Sequence, residues 1–134
     1  MANIEKIKSK ISGLAEKYNL NLVVLFGSQV TGKTHPQSDI DIAFSSERHL
    51  SLREIAEMES EMAKELQLKD IELIDLKMAP PLLLKQIAQK SILLYEKEHS
   101  AYARSKIYAH KRYMEAKKLF KLRDVSFHKF LQKV

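Results

Sequence analysis

The sequence predicts an α/β domain, more strictly α+β, with a mixed β-sheet flanked by helices and a helical tail behind it. Three observations carry that prediction. Some segments repeat apolar residues at steps of three and four, while others run as short, continuously apolar, β-branched stretches, so helix and buried strand alternate. Only three glycines and three prolines occur in 134 residues, and 45% of the chain is apolar against 30% charged, the balance of a helix-rich soluble globule. A single body of this length buries roughly two-thirds of its unfolded surface, enough for one core without staples.

Ile4, Ile7, Ile11, Leu14, Ala15 and Tyr18 form the stripe of an amphipathic helix. Leu22 to Phe26 is an apolar run ending at Gly27, the pattern of a strand buried on both sides. A polar, turn-rich stretch from Gly27 to Ser38 leads to Asp39-Ile40-Asp41-Ile42-Ala43-Phe44, where charge alternates with bulk as in a strand with one polar face. Ser51 and Glu54 have capping-box spacing, and Leu52, Ile55, Ala56, Met62, Ala63 and Leu66 supply the helix behind it. Lys69 to Leu76 reads as a third strand. Pro80 and Pro81 stand at the start of a short helix, Leu82 to Gln89, and Ile92 to Tyr95 is a last short strand. Beyond Lys97 neither glycine nor proline occurs. Tyr102, Ala109, Tyr113, Ala116 and Phe120 mark a long helix, followed by a short one around Phe127, Phe130 and Leu131. This places a catalytic-size unit at 1–96 and a helical extension at 97–134.

The net charge of +6 suggests a polyanionic partner, but it is unevenly spread. Residues 97–134 hold 11 basic and 3 acidic side chains (+8), and residues 1–96 hold 12 and 14 (−2). The basic tail suits a protein-docking surface, a solvated helix face, or, less well, nucleic acid. No cysteine is present, so disulfides, thiolate nucleophiles and thiolate metal sites are excluded. No apolar run approaches the roughly 18 residues that span a bilayer, and residues 1–10 lack a signal-peptide core, so no membrane association and a cytoplasmic location are expected.

Two features twelve residues apart carry the chemistry. Gly27-Ser28 follows a buried strand, where a glycine lets backbone approach a ligand and free N–H groups can meet phosphate oxygens. Asp39 and Asp41 share one face of the next strand, about 6–7 Å apart along the chain. Two carboxylates so placed repel unless a cation lies between them, and oxygen-only donors suit Mg²⁺. A third carboxylate is expected on the neighbouring strand. Asp70 and Glu72 share one face of it, whereas Asp75 falls on the face of Ile71 and Leu73. The five histidines show no paired metal-ligand spacing, and His35 beside Pro36 reads as a loop residue.

Leu25-Phe26-Gly27-Ser28, ten residues, then Asp39-Ile40-Asp41 resembles the signature of the DNA polymerase β-type nucleotidyltransferase superfamily. Ser38, Ile42 and Gly32 match the usual surroundings of that motif. The resemblance implies the polymerase β-like fold, two Mg²⁺ ions and an NTP donor. It assigns catalytic and metal-holding roles to Asp39, Asp41 and the third carboxylate, and nucleotide binding to Gly27 and Ser28, with Lys33 as a further candidate. The family's third carboxylate is usually Asp; Glu72 stands in that place here, with Asp70 as the alternative. Ile74-Asp75-Leu76, Ala79-Pro80-Pro81-Leu82, Leu94-Tyr95-Glu96 and the long helix are similar to the MntA antitoxins, minimal nucleotidyltransferases paired with HEPN-domain ribonuclease toxins of the HepT type. That similarity implies transfer of AMP from ATP to a tyrosine hydroxyl of the toxin, within a hetero-oligomer. An aminoglycoside-type nucleotidyltransferase and a non-catalytic antitoxin acting by binding alone are the competing functions.

Overall fold

The strands and the helices expected ahead of residue 97 are present in the computed structural model, which describes residues 4–27 and 40–132, apart from the side chain of Phe127. Helix α1 (Ile4–Lys17) buries Ile7, Ile11, Leu14 and Ala15, and ends where Asn19 turns left-handed at φ 55°. Strand β1 (Leu20–Phe26) follows, then β2 (Ile40–Ser46), α2 (Leu52–Glu65), β3 (Ile71–Asp75), α3 (Pro81–Gln89), β4 (Ser91–Glu96) and α4 (Ala101–Gln132). Strand β2 runs two residues further than the alternation suggested, because Ser45 and Ser46 remain paired with β1.

The sheet order is β3-β2-β1-β4. Strand β1 is antiparallel to β2 and β4, and β2 is parallel to β3, the one pair joined through a helix. Strand β1 is central and buried along nearly its whole length, as its unbroken apolar run requires. Alternate residues feed two separate cores. Val23, Leu25, Ile40, Ile42 and Phe44 pack beneath α1 and α2, with Met58 and Met62 fully buried among them. Leu22, Val24, Phe26 and Ala43 pack beneath α3 and α4, against Leu84, Ile87 and Ala109.

Polar contacts tie the layers. Lys17 pairs with Glu61, whose other oxygen accepts the Tyr18 hydroxyl at 3.0 Å, joining α1 to α2. At the edge strand β3, the Leu73 amide donates to Glu59 Oε1 at 3.3 Å, so a helix side chain satisfies a backbone donor there. The capping box forms as read: Glu54 N–H donates to Ser51 Oγ at 3.1 Å, and Ser51 N–H to Glu54 Oε1 at 3.3 Å. The Arg48 guanidinium, joined by the Ser51 backbone, holds the Glu54 carboxyl at about 2, against 4.5 ordinarily. A carboxyl so lowered contributes fully above its unfolded value and loses that contribution as pH falls toward about 2, so the box is intact at neutral pH. Ser51→Ala is expected to cost about 1 kcal/mol, seen as a fall of about 3–5 °C in Tm; an unchanged melting curve would show that the box contributes nothing.

The C-terminal region differs from expectation. One continuous helix runs from Ala101 to Gln132, in place of a long helix and a separate short one. With no glycine or proline after Ser91, nothing in the chain interrupts the helical hydrogen bonding. Its first half belongs to the core. Tyr102 and Ala109 face the sheet, the Tyr102 hydroxyl lies 2.6 Å from Ser91 Oγ, and Lys85 of α3 sits 4.0 Å over the Tyr113 ring. From Lys117 to Gln132 every described side chain is exposed.

Candidate active site

Gly27, Asp41 and Glu72 converge at one end of the sheet. Strand β1 delivers Gly27 just past Phe26, and β2 starts beside it, with Asp41 in register with Phe26. On the other side of β2, Asp41 is in register with Glu72 of the parallel strand β3. Ladder neighbours lie about 4.8 Å apart. Ile40 and Ile42 point into the core under α1 and α2, so Asp41 projects from the opposite face. Glu72, between Ile71 and Leu73 of that same core, does likewise. Both carboxylates therefore rise from one face on adjacent strands. Asp41 is half-buried and Glu72 exposed, which leaves this corner open to solvent.

Gly27 completes the corner. Its φ of +83° is a conformation that side-chain-bearing residues rarely adopt. A Cβ added there would lie 2.2 Å from Asp41 Oδ2 and 3.1 Å from its Cγ. The glycine is thus the gap into which the Asp41 carboxylate fits, a closeness that spacing along the chain does not reveal. Ser28, Lys33 and Asp39 lie outside the described residues.

The two other carboxylates of the third strand separate cleanly. Asp75 is buried, and its Oδ1 accepts the Lys77 amide at 3.0 Å, fastening the turn that leads to α3. It is in register with Phe44, three residues along β2 from Asp41. Asp70 is exposed just ahead of β3, where its backbone carbonyl accepts the Ile40 amide at 3.5 Å. Of the three, Glu72 is the one in register with Asp41.

Reading the chain alone missed a fourth member of this row. Ser91 of β4 is in register with Phe26, so Glu72, Asp41, Phe26 and Ser91 cross the four strands in line. The Tyr102 hydroxyl binds both Ser91 Oγ, at 2.6 Å, and the Ser91 carbonyl, at 3.1 Å. Only strand pairing reveals it, since nothing about Ser91 in sequence distinguishes it from a turn residue.

Oxygen donors on adjacent strands beside a glycine gap fit a hard divalent cation that also meets phosphate oxygens. Among the described residues no group of three or more His, Asp or Glu side chains gathers to hold a metal by itself. A cavity of about 740 Å³ opens at the opposite end of the strands, lined by Ser45, Glu47, Lys77, Lys97, Glu98 and Arg104 among others. Its cations are engaged: Lys97 with Glu47, Arg104 with Glu98, and Lys77 with the Ser46 carbonyl at 2.6 Å. The carboxylate corner and this cavity are separate places. Among the described residues, no helix is long and apolar enough to cross a membrane.

Similarity to solved structures extends over nearly the whole chain. A chain of a toxin–antitoxin crystal structure with AMP-PNP is 26% identical, covers 92% of this chain and 98% of its own length, and superposes with a TM-score of 0.72. A chain of a mutant toxin–antitoxin MntA–HpeT structure is 25% identical over 89% of this chain and 98% of that one, with a TM-score of 0.72. A third, from the tri-AMPylated Shewanella oneidensis HEPN toxin in complex with MNT antitoxin, shares the fold at 23% identity, 92% and 99% coverage and a TM-score of 0.70. No curated protein is similar enough to count as a relative. Residues 6–100, which include the four-stranded mixed sheet, match the Polymerase beta nucleotidyltransferase model, and the chain belongs to that family.

Proposed function

We propose that the chain is the antitoxin of a toxin–antitoxin pair and works as a protein adenylyltransferase, moving AMP from ATP to a tyrosine hydroxyl of a HEPN-domain toxin of the HepT type. The observation that carries the proposal is the match to a toxin–antitoxin chain with AMP-PNP along 98% of that chain's length. Residues 1–96 form the catalytic unit in this reading, and 97–134 the extension that serves recognition.

In the transfer, the tyrosine oxygen attacks the α-phosphorus of ATP, the bond from that phosphorus to the bridging oxygen breaks, and pyrophosphate leaves. Gly27 and Ser28 would receive the β- and γ-phosphates, with Lys33 as a further candidate for the same role. Asp39, Asp41 and Glu72 would hold two Mg²⁺ ions. When bound, Mg²⁺ neutralises triphosphate charge and lowers the pKa of the attacking hydroxyl, whose ordinary value is near 10. Glu72, exposed at the rim, would complete the second metal site or accept the hydroxyl proton. The rest of the site's work is orientation, since an in-line displacement gains most from fixed geometry.

Intact mass spectrometry of the toxin, purified with and without co-expression of this chain, tests the proposal. A mass gain in whole multiples of AMP, located on tyrosine, is the expected result. Neutralisation by a stable complex with no mass gain would replace transfer by binding alone, the second reading of the antitoxin.

A further inference from the structure

The exposed half of α4 is not built as a solvated helix. Leu119, Phe120, Phe130 and Leu131 are between 52% and 64% exposed, although they are among the largest apolar residues in the chain. At 100° per residue they fall within about a third of the helix circumference, over an axial span of about 18 Å. They lie on the same side as Tyr102, Ala109 and Tyr113, which in the first half of the helix pack on the sheet and α3. The helix therefore carries apolar side chains that the body covers at one end and that are bare at the other, where Leu122 and Val125 are bare on the opposite side as well. Single exposed apolar residues need no explanation, but six large ones gathered on one half of a helix are the mark of an interface. The bare segment from Lys117 to Gln132 is also too short to be more than a marginal helix by itself.

Charge selects the occupant. Residues 115–132 carry five basic side chains, Lys117, Lys118, Lys121, Arg123 and Lys129, against Glu115 and Asp124. Two copies of this segment laid together would set basic side chains against each other. An apolar groove bearing acidic side chains would match both the apolar and the basic residues of the segment.

We propose that residues 117–132 of α4 are a docking arm that seats in an apolar groove, bearing acidic side chains, of the protein this chain modifies. The proposal rests on the reading of the chain as a protein adenylyltransferase. A tyrosine on a folded protein must be brought to the Gly27–Asp41 corner in a fixed orientation, and an arm that supplies none of that corner's residues provides affinity without occupying it. The arm is a positioning element: it touches neither ATP nor the reacting hydroxyl.

The test uses the full-length chain with Phe120→Ala/Phe130→Ala, and separately with Lys117→Glu/Lys118→Glu/Lys121→Glu, against the purified HEPN toxin. For the aromatic variant, KM for the toxin should rise at least 30-fold, while kcat at saturating toxin, Kd for ATP and Tm stay at wild-type values. The charge variant should associate at least tenfold more slowly, with a salt dependence weaker than that of the wild type. An unchanged KM in the aromatic variant would overturn the arm. So would a wild-type dimer that this variant converts to monomer, or salt-sensitive RNA binding that it abolishes, since the occupant would then be a second copy or RNA. If the wild type transfers no AMP, the catalytic reading fails separately, and Kd of the toxin complex decides the arm: at least 30-fold weaker binding of the aromatic variant supports it, and equal binding overturns it.

Discussion

Asp41→Asn, alone or together with Asp39→Asn, is expected to lower AMP transfer at least 1,000-fold, equivalent to about 4 kcal/mol of transition-state stabilisation. Asp41 sits where strand pairing concentrates the site: in register with Phe26 beside the glycine turn and with Glu72 across the parallel ladder. The amide keeps the shape of the carboxylate and removes its charge, so metal binding and charge neutralisation fail while packing survives. Because Asp41 is only half-buried and flanked by the buried Ile40 and Ile42, Tm should remain within about 3 °C of the wild type. Transfer of radiolabelled AMP at a rate within tenfold of wild type would remove Asp41 from the catalytic assignment. Glu72→Gln serves as the comparison, since a group that only accepts a proton contributes roughly 100–10,000-fold.

Gly27→Ala is expected to be nearly as damaging to activity while leaving the chain folded. An alanine at φ +83° meets the steric penalty of the left-handed region, roughly 1–2 kcal/mol. Its methyl would also lie 2.2 Å from Asp41 Oδ2, so the carboxylate has to swing away. The strand itself is held by pairing on both sides, so the clash falls on the short aspartate side chain rather than on the backbone. Activity should therefore fall at least 100-fold, with a Tm loss of only about 4–8 °C. A variant melting in that range with transfer at wild-type rate would show that the closeness of Gly27 and Asp41 has no part in catalysis.

The elements most readily read from sequence are those whose pattern has a single physical solution. The i, i+3, i+4 stripe of α1 needs a face to bury, and Ile7, Ile11, Leu14 and Ala15 are buried as that stripe requires. The run from Leu22 to Phe26 leaves no polar face, so it had to become a central strand. Met58 and Met62 stand one helical turn apart and are both fully buried. Helix α3 begins at Pro81 behind Pro80, as two prolines at a helix start dictate. The end of α4 was less legible. The apolar spacing around Phe127 to Leu131 suggested a new helix, but a change of apolar phase does not break hydrogen bonding, and the helix continues through it.

By itself the sequence singled out the residues to which the proposed chemistry is assigned. Gly27 at the end of a buried strand and carboxylates at alternate positions of the next are local facts, settled by backbone period and side-chain charge. It also determined that the surplus of positive charge lies beyond residue 96. What only the tertiary structure decided is who stands beside whom. Strand order and register put Glu72 next to Asp41, sent Asp75 to fasten a turn, brought the missing Cβ of Gly27 against the Asp41 carboxylate, and left the apolar side chains at one end of α4 bare. The physical reason is that periodicity says which way a side chain points, while its neighbours across the sheet are set by how strands are ordered and paired, a choice made by the packing of the whole core.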